Sequence, residues 1–113
     1  MDSKNYIYKI EIELDDEKII DEDKYEIADI YSAIRKMFAD EGIEEIKNNS
    51  HTLVFASNKE DNRELSRFAL IETTLIDKDW FMSYVKRFMW FDTLYGVVSQ
   101  ENIINVARKH GLI

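Results

Sequence analysis

Two acidic residues stand two apart in the stretch Lys9-Ile10-Glu11-Ile12-Glu13-Leu14-Asp15. On an extended strand, Glu13 and Asp15 project from one face, about 6.5–7 Å apart along it. Two carboxylates so placed can share a hydrated Mg²⁺, an ion that keeps most of its waters and takes one or two protein oxygens plus phosphate. Such an ion would polarise a scissile phosphate and lower the pKa of an attacking water or 2′-hydroxyl. The same residues also read as an ordinary polar strand face running into an acidic loop.

Other reactive side chains are sparse. Ser50 and His51 sit together beside a turn, where His51 could act as a general acid or base, or simply be an exposed turn residue. Lys86 and Arg87, with Tyr84 and Trp90 close by, could hold an RNA backbone and stack a base. Equally, Trp90 could be core and the two cations plain surface. The chain's second histidine, His110, belongs to a helix C-terminus, and no histidine pair suggests zinc. The acid-rich run 15–24 lacks the glycine and ligand spacing of a calcium loop. Gly42, Gly96 and Gly111 stand alone, so no phosphate-cradling loop is present in sequence.

These residues must be positioned by a small set of elements. Residues 5–14 alternate, with Tyr6, Tyr8, Ile10, Ile12 and Leu14 on one face, which predicts a strand. Residues 15–24 carry six acids and two lysines and read as a loop. Asp23 and Glu26 then form a capping-box pattern opening a helix over 24–41. Ile27, Ile30, Tyr31, Ile34, Met37 and Phe38 make its apolar stripe, and Gly42 suits the left-handed residue after it.

Segments 43–48 and 52–57 read as a hairpin around Asn48-Asn49-Ser50. A second helix begins in 58–62 and runs to about 76. Asp77-Lys78-Asp79 interrupts it before Trp80-Phe81. Residues 85–94 suggest a strand with Phe88, Trp90 and Leu94 on one face and Val85, Met89 and Phe91 on the other. Both faces are apolar, so helices should cover one, and a partner subunit or the C-terminal tail the other. Ser99 is a candidate N-cap for a last helix ending near Gly111. The order β-α-β-β-α-β plus one helix is the ferredoxin-like arrangement of the α+β class.

With 113 residues and 45% apolar content, one domain with a real core is expected. The absence of cysteine excludes disulfide scaffolds and thiolate chemistry. No apolar run approaches the roughly 20 residues of a membrane span, and the N-terminus does not read as a signal peptide, so a cytoplasmic protein is expected. The net charge of −8 is uneven. Residues 1–62 hold 8 Lys/Arg against 17 Asp/Glu, and residues 63–113 hold 7 against 6. That balance disfavours non-specific nucleic-acid binding and leaves room for a local basic patch in the second half.

Several stretches, in order, resemble the virulence-associated protein D (VapD) family over roughly residues 7–94. Tyr8 through Asp15 resemble its first strand, Tyr31, Ile34-Arg35-Lys36 and Gly42 its first helix, and Ser50 through Phe55 its hairpin. Trp80-Phe81, Val85 and Phe91 resemble the approach to its last strand. The resemblance implies a ferredoxin-like domain akin to the small CRISPR adaptation nuclease, usually a homodimer, with toxin-type endoribonuclease activity. It implies a catalytic acid at Glu13, Asp15 as its metal-holding neighbour, and a catalytic hydroxyl at Ser50, with Asn49 or Thr52 as offset alternatives. Glu13 stands where the family typically has Asp, and Arg87 where some members have an acid; Lys9 and Glu11 are bulkier than usual on that face. Residues 97–113 extend beyond the resemblance. The expected partners are therefore an RNA substrate and an antitoxin or other basic protein. The contrasting expectation is a non-catalytic protein of the same fold whose acidic half binds a basic partner.

Overall fold

The structure is a computed structural model that describes residues 6–47, 50–93 and 98–113. Strand β1, Tyr8–Leu14, follows from strict alternation: Tyr8, Ile10, Ile12 and Leu14 are buried, and the residues between them are half-buried. It lies at the centre of a five-stranded antiparallel sheet. The other strands are β2 (Glu44–Glu45), β3 (Leu53–Ser57), β4 (Val85–Asp92) and β5 (Ser99–Asn102), in the order β2-β3-β1-β4-β5.

The acidic stretch expected as a loop instead contains helix α1, Asp16–Glu22. Asp15 caps it, its Oδ1 accepting from the Lys18 N–H at 3.1 Å. Asp16 and Glu17 occupy the positive first turn, and Ile19 is fully buried while Ile20 is exposed. One inward residue in seven is too little periodicity to announce a helix. Asp23 is also not the N-cap expected. It ends α1 in the left-handed region, φ 52°, and Glu26 stands at the cap of α2, Ile27–Asp40. Gly42 does adopt the expected left-handed conformation, φ 75°.

Helix α3, Asn62–Ile76, opens on Asp61, whose Oδ1 accepts from the Glu64 N–H at 2.7 Å. Glu64, three residues into this capping pattern, is the buried charged side chain among the described residues. It accepts from Ser57 Oγ and, at 2.9 Å, from Arg67 Nη1, so its charge is matched where it is buried. Asp61→Ala is expected to cost about 1 kcal/mol of unfolding free energy, read as a lower urea midpoint at unchanged slope.

Trp80-Phe81 fall in a short helix, α4, Asp79–Tyr84, that follows the interruption. The C-terminal segment also differs from expectation. Ser99 is not a helix cap but the first residue of β5; Asn102 caps α5, Ile103–Lys109, by accepting from the Asn105 N–H at 3.1 Å. The hairpin turn at Asn48-Asn49, and Leu94, lie outside the described residues.

The helices pack on the sheet face that carries Ile10, Ile12, Phe55 and Phe88. Phe38 of α2 stacks on Phe55, Phe68 of α3 meets Tyr8 and Trp90, and Phe81 of α4 meets Phe88 edge-on. α5 adds Ile103 to the same core. An irregularity in the β1–β4 ladder changes the face of Val85. Glu13 pairs Arg87, but Leu14 pairs Val85, so Val85 joins Leu14 against the core rather than Met89 and Phe91. On the opposite face, Lys9 covers part of the apolar surface. Lys9 Nζ lies 4.6 Å from the ring centres of both Tyr6 and Phe91, and Phe91 is buried beneath it. No helix among the described residues is long and apolar enough to cross a membrane.

Candidate functional site

Four segments distant in sequence meet around a cavity of about 420 Å³. α1 supplies Asp16 from its first turn. α2 supplies Tyr31 and Arg35, one turn apart, at the edge of the stripe formed by Ile30 and Ile34. β2 and the residues after it supply Glu45 and Lys47. The entry to β3 supplies Ser50 and His51. The inward stripe of α2 sets this arrangement: burying Ile30, Ile34 and Phe38 leaves Tyr31 and Arg35 at the rim.

Asp16 is the hub. Tyr31 Oη donates to Asp16 Oδ1 at 2.7 Å, and His51 Nδ1 lies 3.8 Å from Asp16 Oδ2. At that distance Asp16 acts on the imidazole by charge rather than by a hydrogen bond. Burial, followed by the bond to Asp16, pushes the Tyr31 hydroxyl well above its ordinary range, and the nearby charge of Glu13 adds to this. Tyr31 is therefore a proton donor that holds Asp16, not a base. His51 is largely open to solvent, with 91% of its side chain exposed, and can meet a substrate from outside.

A second cluster stands beside it. Arg35 grips Glu45 in a fork, Nε to Oε1 at 2.9 Å and Nη2 to Oε2 at 3.2 Å, and Lys47 Nζ reaches Oε1 at 3.1 Å. Burial alone would raise the Glu45 carboxyl, but the bonds from Arg35 and Lys47 hold it below the usual carboxylate range. Ser50 Oγ accepts from the Thr52 N–H at 3.1 Å, which closes the turn into β3.

Of the residues singled out in sequence, Ser50 and His51 line this cavity. Glu13 lies on β1 across from Arg87, with its charge felt at Tyr31. Asp15 does not continue the strand face. β1 ends at Leu14, the Asp15 N–H bonds Tyr84 O at 2.7 Å, and its carboxylate caps α1. A Mg²⁺ shared by Glu13 and Asp15 on one strand face therefore does not fit these side chains, and no three metal-ligating residues gather among the described residues. Arg87 is engaged by Glu11, Nη1 to Oε1 at 2.6 Å, a carboxylate also held by Lys9 at 3.0 Å. Burial works against ionisation of Glu11, yet these two cations keep its carboxyl below the usual range. Lys86 is exposed at the ladder irregularity.

Sequence reading overlooked Asp16, Glu45 and the site role of Tyr31 and Arg35. A signal was present for the last two, which stand four apart on α2 at the polar edge of an apolar stripe. Family models, curated proteins and solved structures were all compared with the chain, and none matches it.

Proposed function

We propose that this chain is a ferredoxin-like endoribonuclease of the VapD type that cleaves RNA by acid–base chemistry at the Asp16–His51 end of the cavity. The observation that carries the reading is the convergence of Asp16, Tyr31, Ser50 and His51 on one concave surface. The strand order β2-β3-β1-β4, with α2 and α3 packed on one face, supports the fold assignment.

In this mechanism His51 Nδ1 faces Asp16, which leaves Nε2 to take the proton of a substrate 2′-hydroxyl. The 2′-oxygen attacks the adjacent phosphorus, the P–O5′ bond breaks, and a water protonates the departing 5′-oxygen. Asp16 stands on the Nδ1 side of the ring, and Tyr31 keeps Asp16 in place. Ser50, whose Oγ accepts from the Thr52 N–H, lines the same surface and in the family reading is the catalytic hydroxyl. The same family reading carries a homodimer, a cytoplasmic location and an antitoxin-type basic partner.

The test is incubation of the purified chain with mixed single-stranded RNA, with and without chelator. Cleavage in both, lost about a hundredfold or more in His51→Gln, is the expected result. Cleavage that vanishes with chelator and in Glu13→Gln, but survives in His51→Gln, would return the site to a metal held near Glu13. An absence of cleavage, with salt-sensitive capture of a basic protein, would favour the non-catalytic reading that the acidic first half supports.

A further inference from the structure

We infer that Arg35 and Lys47 form a phosphate subsite beside His51, for which the Glu45 carboxylate is a built-in competitor. The inference rests on the RNA-cleaving reading for its ligand class, a phosphodiester, but not for its geometry.

Arg35 and Lys47 converge on one pair of oxygens. A guanidinium fork plus an ammonium is the donor set that grips a phosphate, and a carboxylate held this way occupies the place of two phosphate oxygens. The cations face water more than the acid does: the Arg35 and Lys47 side chains are 46% and 79% exposed, against 16% for Glu45. A ligand therefore meets the cations first. Neither has spent its donors. Arg35 uses two of five N–H groups on Glu45, and Lys47 uses one of three.

A structural clamp alone accounts for only part of this arrangement. Arg35 to Glu45 ties α2 to the two-residue strand β2, and one ion pair suffices for that. Lys47 adds a second cation to the same Oε1 and lines the cavity together with Ser50 and His51. The three groups sum to +1 and Asp16 on the same cavity offsets that, so an anion finds no net attraction there while Glu45 is ionised. Removing the Glu45 charge leaves two cations facing the cavity.

Binding is read with a non-cleavable 2′-O-methyl single-stranded RNA by fluorescence anisotropy, so that it is independent of turnover. Glu45→Gln is expected to bind about tenfold tighter than the parent. Lys47→Gln, at a mostly exposed side chain that should leave folding intact, is expected to bind several-fold more weakly, with a salt slope lower by about one. The double variant Arg35→Gln/Glu45→Gln should lose the gain. Unchanged or weaker binding by folded Glu45→Gln, or unchanged binding by Lys47→Gln, overturns the inference. If Glu45→Gln does not fold, the Lys47→Gln result decides alone. Tighter binding by Glu45→Gln in a chain that cuts no RNA would uphold the subsite and defeat the nuclease reading. Cleavage by the parent with no response to Glu45→Gln would do the reverse.

Discussion

Phe38→Ala is expected to lower the unfolding free energy by about 3–5 kcal/mol, the largest effect of any single substitution considered for this chain. Phe38 is fully buried, and its ring lies parallel to that of Phe55, with centroids 3.8 Å apart and planes 2° from parallel. That contact joins α2 to β3 across the centre of the core. Truncation removes the transfer free energy of the ring and leaves a cavity walled by Phe55 and its neighbours, which the rigid sheet cannot collapse to fill. Ring overlap of this kind adds little beyond area and dispersion, so Phe38→Leu should recover most of the loss. Urea unfolding of the parent and both variants reads the series. A loss below about 1 kcal/mol for Phe38→Ala would mean that α2 is not anchored where the structure has it.

The same substitution bears on the site. Tyr31 and Arg35 sit on α2, two turns and one turn before Phe38, and depend on its docking for their place at the cavity rim. If the chain has the proposed RNA-cleaving activity, a folded Phe38→Ala variant should lose more of it than its melting curve at assay temperature accounts for. Site residues on rigid elements are only as well placed as the packing beneath them.

What could be read from the chain follows the range of the interactions involved. β1 was legible because its alternation is local and its inward face unbroken from Tyr8 to Leu14. α2 was legible for the same reason at period 3.6, and its C-terminal Gly42 marked its end. α1 was not, because its burial amounts to Ile19 and its stability comes from the Asp15 cap and tertiary contact. The choice between Ser99 and Asn102 as a cap depended on whether 99–102 pairs with β4, a fact about the sheet. The expectation for Asp15 failed by one residue. A strand that stops at Leu14 turns the next carboxylate from the strand face to the helix end. His51 could be singled out from its place beside a turn signal, and Ser50 through the family resemblance. Asp16 could not, since its meaning lies in Tyr31, fifteen residues away, and His51, beyond α2 and β2.

Glu72→Gln should stabilise the chain by about 3 kcal/mol above pH 8 and leave it unchanged below pH 4. Glu72 is half-buried on α3, one turn after Phe68, whose ring packs edge-on against Trp90 with centroids 5.4 Å apart. Trp90 pairs with Glu101 on β5, so the two carboxyls approach each other between α3 and the edge strand. Burial first, and the Glu101 charge second, push the Glu72 carboxyl up from 4.5 to about 7. The cations that could offset this are engaged or turned outward: Arg67 is held by Glu64, and Arg108 and Lys109 are exposed at the end of α5. The folded state thus binds a proton more tightly than the unfolded chain. Between pH 4.5 and 7 the folded chain holds more protons, so the contribution of this group is fully present below pH 4.5 and falls as pH rises through 7. Gln carries no charge to bury and escapes that loss. At about 1.4 kcal/mol per pH unit, the interval from 4.5 to about 7 corresponds to the ~3 kcal/mol expected. Subtracting the parent's stability–pH profile from that of the variant cancels the titrating groups that do not sense Glu72, and leaves Glu72 with its coupled neighbour Glu101. A flat difference would mean that water reaches Glu72 and that Glu101 of β5 does not bear on it. A difference that rises across this window and then levels would show that Glu72 is buried beside Glu101 at the cost of ionising it, and that acid conditions relieve that cost.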